Sequence, residues 1–168
     1  MNDSIKATHR VVLSLGSNKG DRLAALRAAK QAVAPYITVL AVSSVYEMEP
    51  AYVNDQPLFL NAALLGTTTL DPMGLLYTLK DIEIELGRTP TFHYGPRVID
   101  IDIVFIDDLI LHSSALTIPH PFMAERPFVL KPLLEVCPDW VHPQSGQSVQ
   151  ALWEALPKDD HLTLIDRL

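Results

Sequence analysis

A chain of 168 residues with 48% hydrophobic and 20% charged side chains is expected to form one globular domain over residues 1–168, with a single substantial core and no long disordered tail. Its formal net charge of −7 argues against a nucleic-acid binder working through bulk electrostatics, so an anionic substrate would have to be met by local cations. No apolar run approaches a membrane span, the N-terminal MNDSIKATHR has no secretory core, and the one cysteine, Cys137, allows no internal disulfide; a cytoplasmic protein with no membrane partner is expected, with Cys137 as a small buried filler.

Arg10 to Leu15 reads as a buried strand ending at Gly16. The turn GSNKGD has neither the phosphate-loop nor the dinucleotide-fold spacing, so Gly16, Ser17 and Asn18 read as a tight strand-to-helix turn. Asp21 can cap a helix that Pro35 stops after Ala34, with Leu23, Leu26, Ala29 and Val33 as its apolar stripe. Ile37 to Tyr46 reads as a second strand, Glu47 to Pro57 as a long loop, and Leu58 to Thr69 as a third strand. That strand holds one polar residue among apolar ones, Asn61, whose amide could bond backbone or read a ligand edge.

Asp71-Pro72 starts a second helix that Gly87 closes after Leu86, with Met73, Leu76, Leu79, Ile82 and Leu86 on one side. Glu83 falls in its last turn, where the helix dipole disfavours an acid and a partner is needed. After the proline-containing linker from Arg88 to Pro96 comes GPRVIDIDIVF. Side chains two apart on a strand share a face, so Asp100 and Asp102 should point one way, and Ile99, Ile101, Ile103 and Phe105 the other. Two carboxylates roughly 6–7 Å apart repel unless water, a cation or a basic group lies between them. Such a pair is either the solvated face of an edge strand or a seat for magnesium, which one or two carboxylates commonly hold together with substrate phosphates.

Phe105 to Leu111 then reads as a hairpin turning at Asp107-Asp108. In the proline-rich stretch that follows, His120 has its backbone fixed between two prolines, which suits an aimed group, structural or catalytic. Short helices are expected over Phe128–Leu134 and Gln147–Leu156, and a last strand over Leu162–Ile165. The order gives an α+β fold, a ferredoxin-like β-α-β-β-α-β sandwich with one antiparallel sheet, its other face covered by loops and a C-terminal extension.

Five motifs then coincide in order: L-G-S-N at Leu15–Asn18, S-S-x-Y-E-x-E-P at Ser43–Pro50, D-Q-P-x-F-L-N at Asp55–Asn61, G-P-R-x-x-D-x-D at Gly95–Asp102 and P-H-P-x-M-x-x-R-x-F-V-L at Pro119–Leu130. Together they resemble the 6-hydroxymethyl-7,8-dihydropterin pyrophosphokinase family over about Val11 to Val141. The resemblance implies a ferredoxin-like fold, two Mg2+ ions, ATP as co-substrate, and transfer of its β,γ-diphosphoryl unit to the pterin hydroxymethyl group, leaving AMP. It implies Asp100 and Asp102 as metal ligands, and Arg88 and Arg97 beside them as catalytic residues. Lys80, Glu83, Arg88, Tyr94, Arg97, Ile103, His120 and Arg126 fall at ATP-binding positions. For the pterin it implies Phe59 and Phe128 as a stacking pair, Asn61 as the edge reader, and Met48, Pro50 and Ala51 as further contacts.

Paired carboxylates and arginines are what diphosphoryl transfer asks of a protein, since it needs charge neutralisation and in-line positioning more than covalent help. A metal-dependent phosphohydrolase could use the same acids and arginines, but it has no need of the pterin slot. A non-catalytic binding module leaves the acid pair without a purpose. The chain departs from the family in the linker, where Pro90 replaces a second arginine of many relatives, Tyr94 stands near a frequent tryptophan, and His93 is a weaker substitute contact. That linker is expected to be mobile without ligand and to fold over ATP, and the protein to be a monomer.

Overall fold

The computed structural model describes residues 7–48, 57–91, 95–157 and 161–168. Its first layer is built from strand β1 (His9–Ser17), helix α1 (Arg22–Val33), strands β2 (Thr38–Val42), β3 (Ser44–Met48) and β4 (Phe59–Thr68), helix α2 (Pro72–Glu85) and strand β5 (Asp100–Ile106). The remainder comprises a small β6 (Leu111–His112) and β7 (Thr117–Ile118) pair, a 3-10 turn (Met123–Glu125), helices α3 (Pro127–Val136) and α4 (Val149–Ala155), and strand β8 (Thr163–Arg167). The main sheet runs β5-β1-β4-β3-β8, with β2 also on β4, and every pairing in it is antiparallel. This is the expected sandwich, with β8 added at the edge beyond β3.

The helix starts follow their caps. Asp21 accepts from the Ala24 amide at 3.1 Å and Asp71 from the Gly74 amide at 2.9 Å, so each first turn has one of its free donors satisfied. Leu26, Ala29 and Val33 of α1 and Leu75, Leu79 and Ile82 of α2 bury against Val11, Leu13, Leu15, Leu60, Ala62, Leu64, Ile101 and Ile103 on one face of the sheet. Along β1, β4 and β5 the alternate residues Val12, Ala63, Leu65 and Val104 meet α3 and α4 on the other face, through Leu130, Leu133 and Leu152. Cys137 lies in this second core as expected, and burial pushes its thiol up to about 12.

Three expectations are corrected. The predicted Ile37–Tyr46 strand is two strands broken at Ser43, whose hydroxyl accepts from the Ala63 amide at 2.7 Å and donates to the Ser44 carbonyl, so side chain replaces ladder at that point. The turn at Asp107 exists, with φ 46, but the chain beyond it does not fold back on β5: β6 pairs with β7 instead. Phe105 is on the face of the acids, not of the isoleucines, because the β1–β5 register shifts between Val12 and Leu13 and leaves Val104 as the extra residue. There Phe105 stacks on Trp140 at 5.4 Å.

Candidate active site

Asp100 and Asp102 stand on the first half of β5, opposite Gly16 and Ser14 of β1. Their face is the one covered by α3, and β5 is the outer strand of the sheet. Two arginines reach Asp100 from either side. Arg88 follows the end of α2, where Gly87 turns the chain with φ 102 and the Arg88 amide donates to the Glu83 carbonyl at 3.0 Å. One guanidinium nitrogen of Arg88 donates to Glu83 Oε2 and, at 3.0 Å, to Asp100 Oδ1. Glu83 is 6% exposed, and the same Oε2 accepts from the Ile101 amide at 3.0 Å. Glu83 thus closes a donor on the open edge of β5 and holds Arg88 around that edge against Asp100.

Arg97 comes from the turn before β5. Its Nε lies 3.5 Å from Asp100 Oδ2 and its guanidinium carbon 5.1 Å from the centre of the Phe59 ring. Its amide donates to Asn18 Oδ1 at 2.8 Å, and the Asn18 amide donates back to the Arg97 carbonyl at 3.0 Å. Burial, then Asp100 and Glu83, push Asp102 up to about 8, against the pull of Arg97 and Arg126. Burial raises Glu83 as well, with Asp100 adding to it and the Ile101 amide and Arg88 opposing.

His120 is placed by the bulge: its amide donates to the carbonyl of the extra residue, Val104, at 3.0 Å. Its Nδ1 accepts from the Phe122 amide at 3.3 Å, which leaves the ring proton on Nε2. Burial and the Arg126 charge lower it to about 4, against Asp100. Arg126 has its guanidinium over two rings, Phe122 at 5.2 Å and Phe128 at 5.8 Å.

A cleft of about 960 Å³ joins these groups. Lys80, Glu83, Arg88, Arg97, Asp100, Asp102, Ile103 and His120 all border it, with Leu76, Ile84 and Leu116 supplying an apolar wall. Arg126 and, of the residues expected at the pterin, Met48, Phe59, Asn61 and Phe128 are not part of that lining among the described residues. Met48, Phe59 and Asn61 form a second group on β3 and β4, where Met48 pairs with Phe59 and Tyr46 with Asn61. Phe128 opens α3 above the same sheet face. Asn61 is 5% exposed, and its Nδ2 has no hydrogen-bond partner among the described residues. Pro50, Ala51, His93 and Tyr94 lie outside the described residues, and with them the expectation about closure of the linker.

Sequence reasoning passed over two groups. Asn18, read as part of a tight turn, also donates from Nδ2 to the Pro57 carbonyl at 3.4 Å, so it touches both the Arg97 turn and the stretch leading into β4. Arg22 donates to Glu47 Oε2 at 2.8 Å and to the Leu58 carbonyl at 2.7 Å, which ties the end of β3 to the start of β4. The turn motif contained Asn18, but only the tertiary contacts show what it holds.

The donor set fits a hard divalent cation. Two neighbouring carboxylates share a face, one is pushed up by burial and then by its like-charged neighbours, and no group of three or more His, Cys, Asp or Glu ligands occurs among the described residues. Such a pair leaves the remaining coordination positions to water and phosphate oxygens, which suits Mg2+.

Residues 12–138 match the family model of 7,8-dihydro-6-hydroxymethylpterin-pyrophosphokinase (HPPK). A 2-amino-4-hydroxy-6-hydroxymethyldihydropteridine pyrophosphokinase of Aquifex aeolicus is 40% identical over 133 residues, covering 79% of this chain and 83% of that protein. The enzyme of the same name from Synechocystis is 41% identical, covering 87% and 75% respectively. The folic acid synthesis protein of Pneumocystis carinii is 46% identical over 89% of this chain, which spans only 20% of that longer protein. Among solved structures, a Plasmodium falciparum HPPK-DHPS has a TM-score of 0.80 at 17% identity, covering 98% of this chain and 51% of that one, and supports the fold.

Proposed function

Because the chain belongs to the 7,8-dihydro-6-hydroxymethylpterin-pyrophosphokinase family, we propose that it transfers the diphosphoryl group of ATP to the hydroxymethyl oxygen of 6-hydroxymethyl-7,8-dihydropterin, a step of folate biosynthesis. The observation that carries the reading is one row of residues across the sheet: Asn61 pairs with Gly16, and Gly16 with Asp100. Paired residues of an antiparallel sheet share a face, so the pterin reader and the acid seat lie side by side, roughly 10 Å apart at two strand spacings.

Asp100 and Asp102 would hold Mg2+, two ions by the family's pattern, which supplies charge neutralisation on the triphosphate. Arg88 and Arg97, now paired with Asp100, are free to exchange that carboxylate for phosphate oxygens when a cation takes it over. Glu83 keeps Arg88 aimed during the exchange. His120, neutral with its proton on Nε2, donates to the nucleotide without adding charge. Lys80 contributes a cation, and Ile103 with Leu76 and Ile84 an apolar surface for the nucleotide base. Phe59 and Phe128 stack the pterin, and the unpartnered Asn61 Nδ2 meets an acceptor on its edge. Acceleration then comes from orientation and electrostatic stabilisation.

No helix among the described residues is long and apolar enough to cross a membrane, and we place the protein in the cytoplasm as a monomer. The functional reading is tested by incubation with ATP, Mg2+ and the hydroxymethyl-dihydropterin. Pterin-dependent release of AMP supports it. Release of ADP or inorganic phosphate without pterin overturns it.

A further inference from the structure

Given that reading of the function, we infer that Gly16 is a specificity-determining residue: its missing side chain is the passage through which the exocyclic arm of the pterin reaches the metal-binding acids.

Gly16 is buried near the end of β1. A buried glycine in a strand costs stability, because it loses more backbone freedom on folding than other residues and packs nothing in return. Its backbone gives no reason for it: among the described residues the glycines of positive φ are Gly20, Gly87 and Gly146, and Gly16 is not among them. The reason lies in space. A methyl group built at Gly16 would stand 3.2 Å from Asn61 Oδ1 and 3.6 Å from Phe59 Cδ1, against the two residues assigned to the pterin. On its other side Gly16 pairs with Asp100.

Anything that joins the pterin seat on β4 to the acids on β5 must cross β1, and in this row the crossing is at Gly16. In the structure the crossing is made by Arg97, which reaches from the Phe59 ring to Asp100. A pterin ring lying on Phe59 and Asn61 can present its hydroxymethyl oxygen to the acids only along the same line. The next row has Ser14, which pairs with Ala63 and Asp102, so small side chains continue the trough.

The test is Gly16→Ala, titrated in the presence of Mg2+ and a non-hydrolysable ATP analogue with two ligands: 6-hydroxymethyl-7,8-dihydropterin and the same dihydropterin without its arm. The variant should bind the armed ligand at least tenfold more weakly than wild type and the armless one within threefold. Equal weakening of both would place the effect on the ring seat through Asn61 and overturn the inference, as would no change in either. Should the variant lack the wild-type circular dichroism, the wild type decides. Nuclear Overhauser contacts between the arm methylene protons and the Gly16 α protons are expected in the ternary complex, and their absence rejects the passage. If wild type binds no armed dihydropterin at all, the functional reading itself fails and takes the inference with it.

Discussion

Asn18 and Arg97 exchange two hydrogen bonds, the Arg97 amide to Asn18 Oδ1 at 2.8 Å and the Asn18 amide to the Arg97 carbonyl at 3.0 Å. Asn18 is fully buried, and its Nδ2 donates at 3.4 Å to the carbonyl of Pro57, just before the strand that carries Phe59 and Asn61. One side chain therefore sets Arg97 and the strand that carries Phe59 and Asn61 relative to each other.

Asn18→Ala should cost about 1–3 kcal/mol of stability, because the Arg97 amide loses its acceptor in a half-buried turn. It should also lower kcat at least tenfold at temperatures where the variant remains folded. Urea unfolding and steady-state kinetics measure the two effects separately. Unchanged kcat with reduced stability would leave Asn18 a purely structural clip.

The acid pair has a different signature. Asp100→Ala or Asp102→Ala should cut turnover by several powers of ten with the fold intact, because each removes a charge contact of the transition state and no core packing. Mg2+ with an ATP analogue should raise the Tm of wild type and not that of either variant. Near-normal turnover in either would remove that residue from the metal seat.

The guanidinium groups of Arg97 and Arg126 lie over Phe59 and Phe128, at 5.1 and 5.8 Å. These rings are the proposed pterin stack, so drawing the arginines onto a triphosphate frees both faces. The pterin should bind at least tenfold more tightly with Mg2+ and an ATP analogue present than alone. Calorimetric titration in the two conditions gives the ratio, and a ratio near one contradicts the exchange.

His120 gives a pH dependence. Its folded value is about 4, below the ordinary 6.5, so between these values the unfolded chain binds the extra proton and the folded one does not. Stability from this group is fully present above about pH 6.5 and is lost as pH falls toward 4. Acid lability arising elsewhere in the chain is common to wild type and variant. His120→Gln should therefore lose less stability than wild type between pH 7 and pH 4.5 by urea unfolding, and parallel losses would assign the acid lability to other groups.

Much of this site was legible in the sequence, and for physical reasons. The caps at Asp21 and Asp71, the alternation of β5 and the proline stops are local signals, and local signals survive into the fold. Glu83 was marked by a last-turn position that calls for a partner, and the partners are Arg88 and the Ile101 amide. The side on which Phe105 lies was not legible, because the bulge at Val104 answers to pairing with β1 and to the amide of His120. Nor was the break at Ser43, where a hydroxyl takes over an amide of a strand twenty residues away. Asn18 and Gly16 looked like turn residues for the same reason: their partners, Arg97, Pro57, Asn61 and Asp100, are distant in the chain.

On the proposed function, the row from Asn61 through Gly16 to Asp100 brings a pterin hydroxyl to the β-phosphorus of ATP. Phosphorus NMR of the products formed from ATP, Mg2+ and the hydroxymethyl-dihydropterin tests it most directly. AMP and a pterin diphosphate are expected in equal amounts, with both transferred phosphorus atoms coming from one ATP. ADP with a pterin monophosphate, or phosphate released without pterin, would contradict it.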